Sequence, residues 1–380
     1  MISNARSKWK LVVFQGLITA TLVSANMSTL SAATVLILDD TVVGGSSSLE
    51  AEAAIALGYS VEVVDAFGWL DKTQAEFASY RALILGDPMH ADIGLALSAA
   101  EANRSVWAPV VNGNIIIVGT DPAHHASQGL PGAQKLLDKT VAFAVNQPNK
   151  TGLYVCLSQY YHSSFSTPVP VLDRFGNFTI TGTFPPNCAQ GSGYIVATHP
   201  VLTGAPDGLA DADLFQWSCS VHEYFTTWPG TFQAFACTAP CGPPYILTRG
   251  EALPQPTVSI QATDNIAQED ESNPGNSPDK GRFLVSRTGS VDRALTVNLI
   301  INGTAIRSPS MDYLLSLGGT SQYVSSPITI PAGSASVAID VWPWFDGYGD
   351  GGETVILHIG GCPSYSIGSP SSATVFIFEM

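Results

Sequence analysis

The chain is poor in positive charge. Of 380 residues only 16 are Lys or Arg against 31 Asp or Glu, a formal net charge of -15. A body this acidic is repelled by phosphate backbones, which argues against nucleic acid as a partner. Nucleotide-binding loops are missing too: "LILDDTVVGGSSS" sets glycines ahead of a helix, but in neither GxGxxG nor P-loop spacing. Charged residues make up only 12% of the chain and hydrophobic residues 45%, a balance that excludes a disordered protein. Beyond the N-terminus no stretch approaches the roughly 20 apolar residues of a membrane-spanning helix. Cys237 and Cys241 in "ACTAPCG" have no second CxxC or HxxxH to complete a zinc framework.

What is present begins with an export pattern. Residues 1–33 carry Arg6, Lys8 and Lys10 and no acid, followed by the apolar "LVVFQGLITATLV". Two small-residue sites, Val23 to Ala25 and Ser31 to Ala33, suit signal cleavage. Gln15 and the short apolar run make an uncleaved anchor the weaker alternative. Without these residues 13 basic face 31 acidic residues, a net charge of -18. The expectation is a protein secreted, held at the cell surface or periplasmic, with no membrane span after cleavage. Six cysteines fit that oxidising setting. A turn at Pro240 and Gly242 predicts a Cys237–Cys241 disulfide, while Cys156, Cys188, Cys219 and Cys362 have no readable pairing.

Two structural grammars follow one another. From 34 to 250, short β-branched runs ("TVLILDD", "YSVEVVD", "RALILGD", "NIIIVGTD") alternate with helical stretches such as "PGAQKLLDKTVAFAVN". Continuous apolar strands alternating with helices predict an α/β, doubly wound parallel sheet. Its ligand crevice should lie beyond the carboxyl ends of the strands, where Asp39, Asp40, Asp87 and Asp121 fall. Prolines in 251–255 mark a linker. From 256 to 380 the apolar residues alternate instead, as in "LTVNLII" and "TVILHI", with no helical stretch between. That pattern predicts an antiparallel β-sandwich and a multidomain protein.

The second region resembles the Calx-beta family. The series "PTVSIQATDNIAQE", "GRFLVSRTGSVDRALTVNLIINGTA", "MDYLL", "ITIPAGSASVAIDVWP", "GGETVILHI" and "YSIGSPSSATVFIFE" carries the resemblance over 256–380. It implies an immunoglobulin-like sandwich with Ca²⁺ held by loop carboxylates at one end. Carried over by position, those are Glu269, Asp312, Asp346, Asp350 and Glu353. The chain departs from the pattern at Phe345, where paired acids often begin the loop, and in a first loop lengthened by "DESNPGNSPDK". Fewer carboxylates mean weaker Ca²⁺ binding. Ordinary turn formation is the alternative role for these acids.

The first region looks like the class I glutamine amidotransferase-like superfamily, on its strand order together with "ATHPVLTG" and "WSCSVHEYF". The catalytic Cys of that superfamily is replaced by Asp121 in "VGTDPAHH", which argues against amide transfer through a thiolate. Asp121, His124, His222 and Glu223 remain candidates for other chemistry, and Asp121, His124, His199 and His222 together for a metal-dependent hydrolase. Of two function classes the first is the leading expectation, with the α/β domain as a non-catalytic scaffold, and the second is its alternative. One is a Ca²⁺-binding interaction or adhesion protein, with an extracellular protein or glycan as partner. The other is a secreted hydrolase with the sandwich as accessory module.

Overall fold

Continuous apolar runs build the first sheet. β1 (Thr34–Leu38), β2 (Ser60–Val64), β3 (Ala82–Leu85), β4 (Val111–Val118) and β5 (Thr151–Cys156) are parallel, in the order β2-β1-β3-β5-β4. The structure, a computed structural model, describes residues 33–86, 96–183, 193–272, 279–308, 312–345, 347 and 351–378. Successive residues of β1 enter different cores because side chains alternate across a sheet. Val35 and Ile37 pack with Leu136 and Val141 of the helix Pro131–Ala144, whereas Leu36 and Leu38 join Trp69 and Trp107 on the other face. Burial on both faces is what makes these strands apolar throughout.

The sheet is not purely parallel. β6 (Thr167–Pro168), β7 (Thr179–Gly182) and β9 (Glu223–Thr227) form a small antiparallel sheet of their own. β8 (Tyr194–Ile195), β10 (Gln233–Cys237) and β11 (Pro244–Arg249) instead extend the main sheet antiparallel from β4, in the order β4-β11-β10-β8. The reason is the connection. β10 and β11 are joined by a tight turn, with Gly242 N donating to Ala239 O at 2.9 Å, which leaves no room for a parallel crossover.

From Thr257 onward every strand is short and alternating. They are β12 (Thr257–Asp264), β13 (Ile266–Gln268), β14 (Gly281–Arg287), β15 (Leu295–Val297), β16 (Leu299–Gly303), β17 (Tyr313–Leu317), β18 (Ile328–Ile330), β19 (Ser336–Pro343), β20 (Glu353–Ile359), β21 (Ser366–Ile367) and β22 (Ser372–Phe378). Two sheets, β17-β19-β14-β12-β21 and β13-β22-β20-β16, enclose one core that includes Ile260, Phe283, Val285, Ile339, Val355 and Leu357. The α/β and sandwich parts belong to one compact unit, Ala33–Met380. Leu253 is buried in the α/β core, bonded through its backbone to the Gln233 side chain, and Arg293 meets Asp211 at 2.6 Å.

The cysteine pairing differs from the expectation. Cys241 is bonded to Cys362, not to Cys237, with the two Cα atoms 4.9 Å apart across 121 residues. Cys237 is a free, buried thiol on β10. Direction decides the outcome: the period-two strand turns Cys237 into the core that holds Leu247, while the turn after it carries Cys241 out against the sandwich core. Burial pushes the Cys237 thiol up to about 12. Cys188 and the N-terminal export pattern lie outside the described residues. Among the described residues no helix is long and apolar enough to cross a membrane.

Candidate functional site

Gly119, the first residue after β4, organises the site. Its N–H donates to Tyr245 O at 2.7 Å, and its carbonyl accepts from His222 N and Glu223 N at 3.2 and 3.3 Å. A Cβ at this position would lie 2.7 Å from Glu223 O and 2.8 Å from Tyr245 O. The close backbone approach open to glycine thus pins the 222–223 segment to the carboxyl end of β4. Two residues on, Asp121 opens the helix Pro122–Ser127, whose first position is a proline with no N–H to lose.

Asp121 does not act as an ordinary N-cap, because its side chain makes no capping hydrogen bond. Instead its Oδ1 lies 3.0 Å from His125 Nε2 and 3.2 Å from His222 Nε2. The spacing Asp121–His125 is i,i+4, one helical face. All three side chains are buried, Asp121 to 1% exposure and each histidine to 5%. Although the distances are short, neither Asp121 Oδ1 nor either ring nitrogen of His125 makes an aligned hydrogen bond among the described residues. Trp217 meets the His125 ring edge-on at 4.6 Å and sets its tilt. On the outer side, His162 stacks on His222 at 4.2 Å.

Burial holds the His222 imidazole at about 4, helped by neighbouring histidines and opposed by Asp121. It is therefore neutral at neutral pH, with a lone pair to offer. Because the folded value lies below the ordinary 6.5, the unfolded chain takes up the proton first. This group's contribution to stability falls as pH drops from 6.5 to about 4 and is constant below that.

The other expected residues fall in different places. His124 lies on the outer side of the helix, its Nε2 2.8 Å from Gln128 Nε2 in an exposed pair. His199 is not part of the site: its Nε2 sits 3.2 Å from Glu251, which also accepts from Asn114 in β4, towards the end of that strand remote from Asp121. Glu223 is fully buried next to His222. A second grouping, His162, Cys219 and His222, has ligand-type spacing, but Cys219 is disulfide-bonded and its sulfur is no thiolate. The backbone of Asp121 (φ -110°) is not in the left-handed region, so the turn is not a strained nucleophile elbow. Asp39 and Asp40 are exposed beyond β1, and Asp87 lies outside the described residues.

At the sandwich, backbone pairing brings three of the five expected calcium acids to one end. Glu269 N donates to Phe378 O, and Glu353 pairs with Ile377 one residue away. Asp312 precedes Tyr313, whose partner Pro343 ends β19. The charges of Asp312 and Glu353 both help to raise the Tyr313 hydroxyl, after burial as the main cause. Glu269 and Asp312 are buried, and Asp312 Oδ2 accepts from Ile306 N. Asp346 and Asp350 lie outside the described residues. Among the described residues no three ligating side chains converge here.

No family model matches the chain, and no curated protein matches it in sequence. Slight structural likenesses exist. The apo-form Calx CBD1 domain is similar to 33% of this chain and 99% of its own, at 12% identity and a TM-score of 0.25. The calcium binding domain CBD12 of CALX1.1 is similar to 32% of this chain and 44% of its own, at 15% identity and 0.24. The cell-surface-expressed chitinase ChiW from Paenibacillus sp. str. FPU-7 is similar to 32% of this chain and 13% of its own, at 10% identity and 0.20. Values this low assign neither family nor activity.

Proposed function

We propose that the chain is an exported hydrolase that activates water at the carboxyl end of β4, with the sandwich as its accessory module. The observation that carries this reading is the convergence of Asp121, His125 and His222, three buried side chains from two distant segments, on contact distances of 3.0 and 3.2 Å. Burying a carboxylate is costly unless it is paired or coordinates a metal, and a group perturbed as His222 is belongs to the kind that concentrates at reactive sites. Of the free cysteines among the described residues, Cys237 lies on β10 and Cys156 is buried with its Sγ donating to Thr120 O at 3.0 Å. In this reading water is the nucleophile, and esters, amides and glycosides are the substrate classes to test. The resemblance of 34–250 to the amidotransferase-like superfamily extends to the place of this site and not to the thiol chemistry. In a panel of chromogenic esters, amides and glycosides the full chain should turn over at least one class. His222→Gln should lower that rate by about 100-fold or more, the least that a positioned acid–base group contributes. A panel left untouched by folded protein that still binds a glycan or cell surface would instead favour the interaction reading.

One observation favours a Ca²⁺ ion at the sandwich as well: Glu269 and Asp312 are buried carboxylates at the end where Glu353 also lies. With Asp346 and Asp350 they would supply five acidic ligands. A Ca²⁺ concentration about tenfold over Kd stabilises a folded protein by about 1.4 kcal/mol. The full chain should melt a few degrees higher in millimolar Ca²⁺, and less so in Mg²⁺, which demands a tighter octahedron. Asp346→Asn with Glu353→Gln should remove the shift. Asp312 is the poorer choice for this test because it also serves the Ile306 amide. An identical melt with and without Ca²⁺ would leave these acids as turn residues.

A further inference from the structure

We infer that Asp121, His125 and His222 form a binding site for a zinc-type divalent ion. The inference deepens the hydrolase reading and rests on the same site. Three features carry it. The first is spacing. Ligands about 2.0–2.1 Å from a tetrahedral ion stand roughly 3.3–3.4 Å from one another, by simple geometry from the usual bond lengths. Asp121 Oδ1 stands 3.0 and 3.2 Å from the two Nε2 atoms, already near the edges of such a tetrahedron. The ligand atoms of all three residues lie within 4.8 Å of one another.

The second feature is alignment. Were the cluster held together by hydrogen bonds, an N–H would point at the carboxylate oxygen. Asp121 Oδ1 and both His125 ring nitrogens lack such a bond among the described residues, at 1% and 5% exposure. Buried polar groups are rarely left so, and one ion between them satisfies Asp121 Oδ1 and His125 Nε2 at once. The third is donor chemistry. Two imidazole nitrogens and one carboxylate oxygen suit Zn²⁺ and its transition-metal neighbours, whereas Ca²⁺ and Mg²⁺ take oxygen sets. Three protein ligands leave a fourth position for water, the arrangement of hydrolytic zinc sites. His162, stacked on the His222 ring, holds that ligand's orientation from the outer side.

The test uses the full chain, stripped with a chelator and titrated with ZnCl2 by calorimetry, with metal content measured after dialysis. One equivalent should bind. Co²⁺ in its place should give the intense visible absorption of a four-coordinate ion, a readout that needs no variant and no substrate. Losing even an outer partner of a metal ligand costs about 10–100-fold in affinity, so Asp121→Asn and His125→Gln should each cost at least that much. His124→Ala, on the outer side of the same helix, should bind as the parent does. Substoichiometric binding by folded protein, a six-coordinate Co²⁺ spectrum, or affinity unchanged in Asp121→Asn and His125→Gln would each overturn the inference. The outcomes separate from those of the hydrolase reading. Tight zinc binding by a protein inert on every substrate sinks the hydrolase and leaves the ion site. Turnover by a folded protein that binds no zinc does the reverse.

Discussion

Cys362→Ser will lower the melting temperature of the full chain by on the order of 10 °C, and Cys241→Ser will do the same. The Cys241–Cys362 bond closes a loop across 121 residues. In the chain-entropy description, cross-linking a loop of about 100 residues removes unfolded-state freedom equivalent to about 4.7 kcal/mol, and measured bonds of this kind reach about 2–5. The double variant should lose no more than either single one, since both remove the same bond. The bond also fixes how the chain comes apart. A protease that cuts between Leu253 and Thr257 will leave the α/β and sandwich parts attached on a non-reducing gel and release them on reduction. Thiol titration supplies the control: Cys156 and Cys237 are buried and should react only after unfolding, while Cys241 and Cys362 should not react until reduced. Two extra reactive thiols in non-reduced protein, or variants that melt with the parent, would remove the bond from the description.

Sequence pattern reached the layers of this fold more easily than its connections. β1 to β4 and the long helix Pro131–Ala144 are continuous or strongly periodic apolar stretches, and the β12 to β22 region alternates throughout. What periodicity does not encode is neighbour order. β5, "TGLYVC", follows β4 in the chain yet lies between β3 and β4, a matter of which helix crosses which face. β10 and β11 are too short and too ordinary in composition to announce that they continue the sheet antiparallel. The same limit governs the site. Asp121 is legible as a polar residue ending an apolar segment and His222 as a histidine just ahead of β9, but His124 and His125 are adjacent and equal in chemistry. Only the phase of a helix starting at Pro122 separates them, since i,i+4 from Asp121 is His125. That phase was available in the proline, and it points to the inner histidine. The cysteines show the same thing at longer range: the three residues between Cys237 and Cys241 say nothing about a partner 121 residues further on.

A single added methyl group at Gly119 is expected to act on the site far more than on the fold. Alanine there would place Cβ 2.7 Å from Glu223 O and 2.8 Å from Tyr245 O, both backbone atoms without a flexible side chain to give way. Overpacking of this kind costs about 1–3 kcal/mol, and the relief available is a shift of the 222–223 segment or of β11 away from β4. Either shift breaks a bond to Gly119, because His222 N and Glu223 N are held by its carbonyl and Tyr245 O by its N–H. His222 then leaves the 3.2 Å approach to Asp121. A displacement of about 1 Å in such a constellation costs on the order of 100-fold, so function should fall much further than stability. Gly119→Ala should therefore unfold at modestly lower urea while losing about 100-fold in turnover and zinc affinity together. Gly230→Ala is the matched comparison, since its added Cβ meets nothing within 4 Å and it lies outside the left-handed region. It should behave as the parent in both assays. If Gly119→Ala keeps parental stability and parental affinity, the backbone clamp is not what brings His222 to Asp121, and the site must be positioned by the side-chain packing around Trp217 instead.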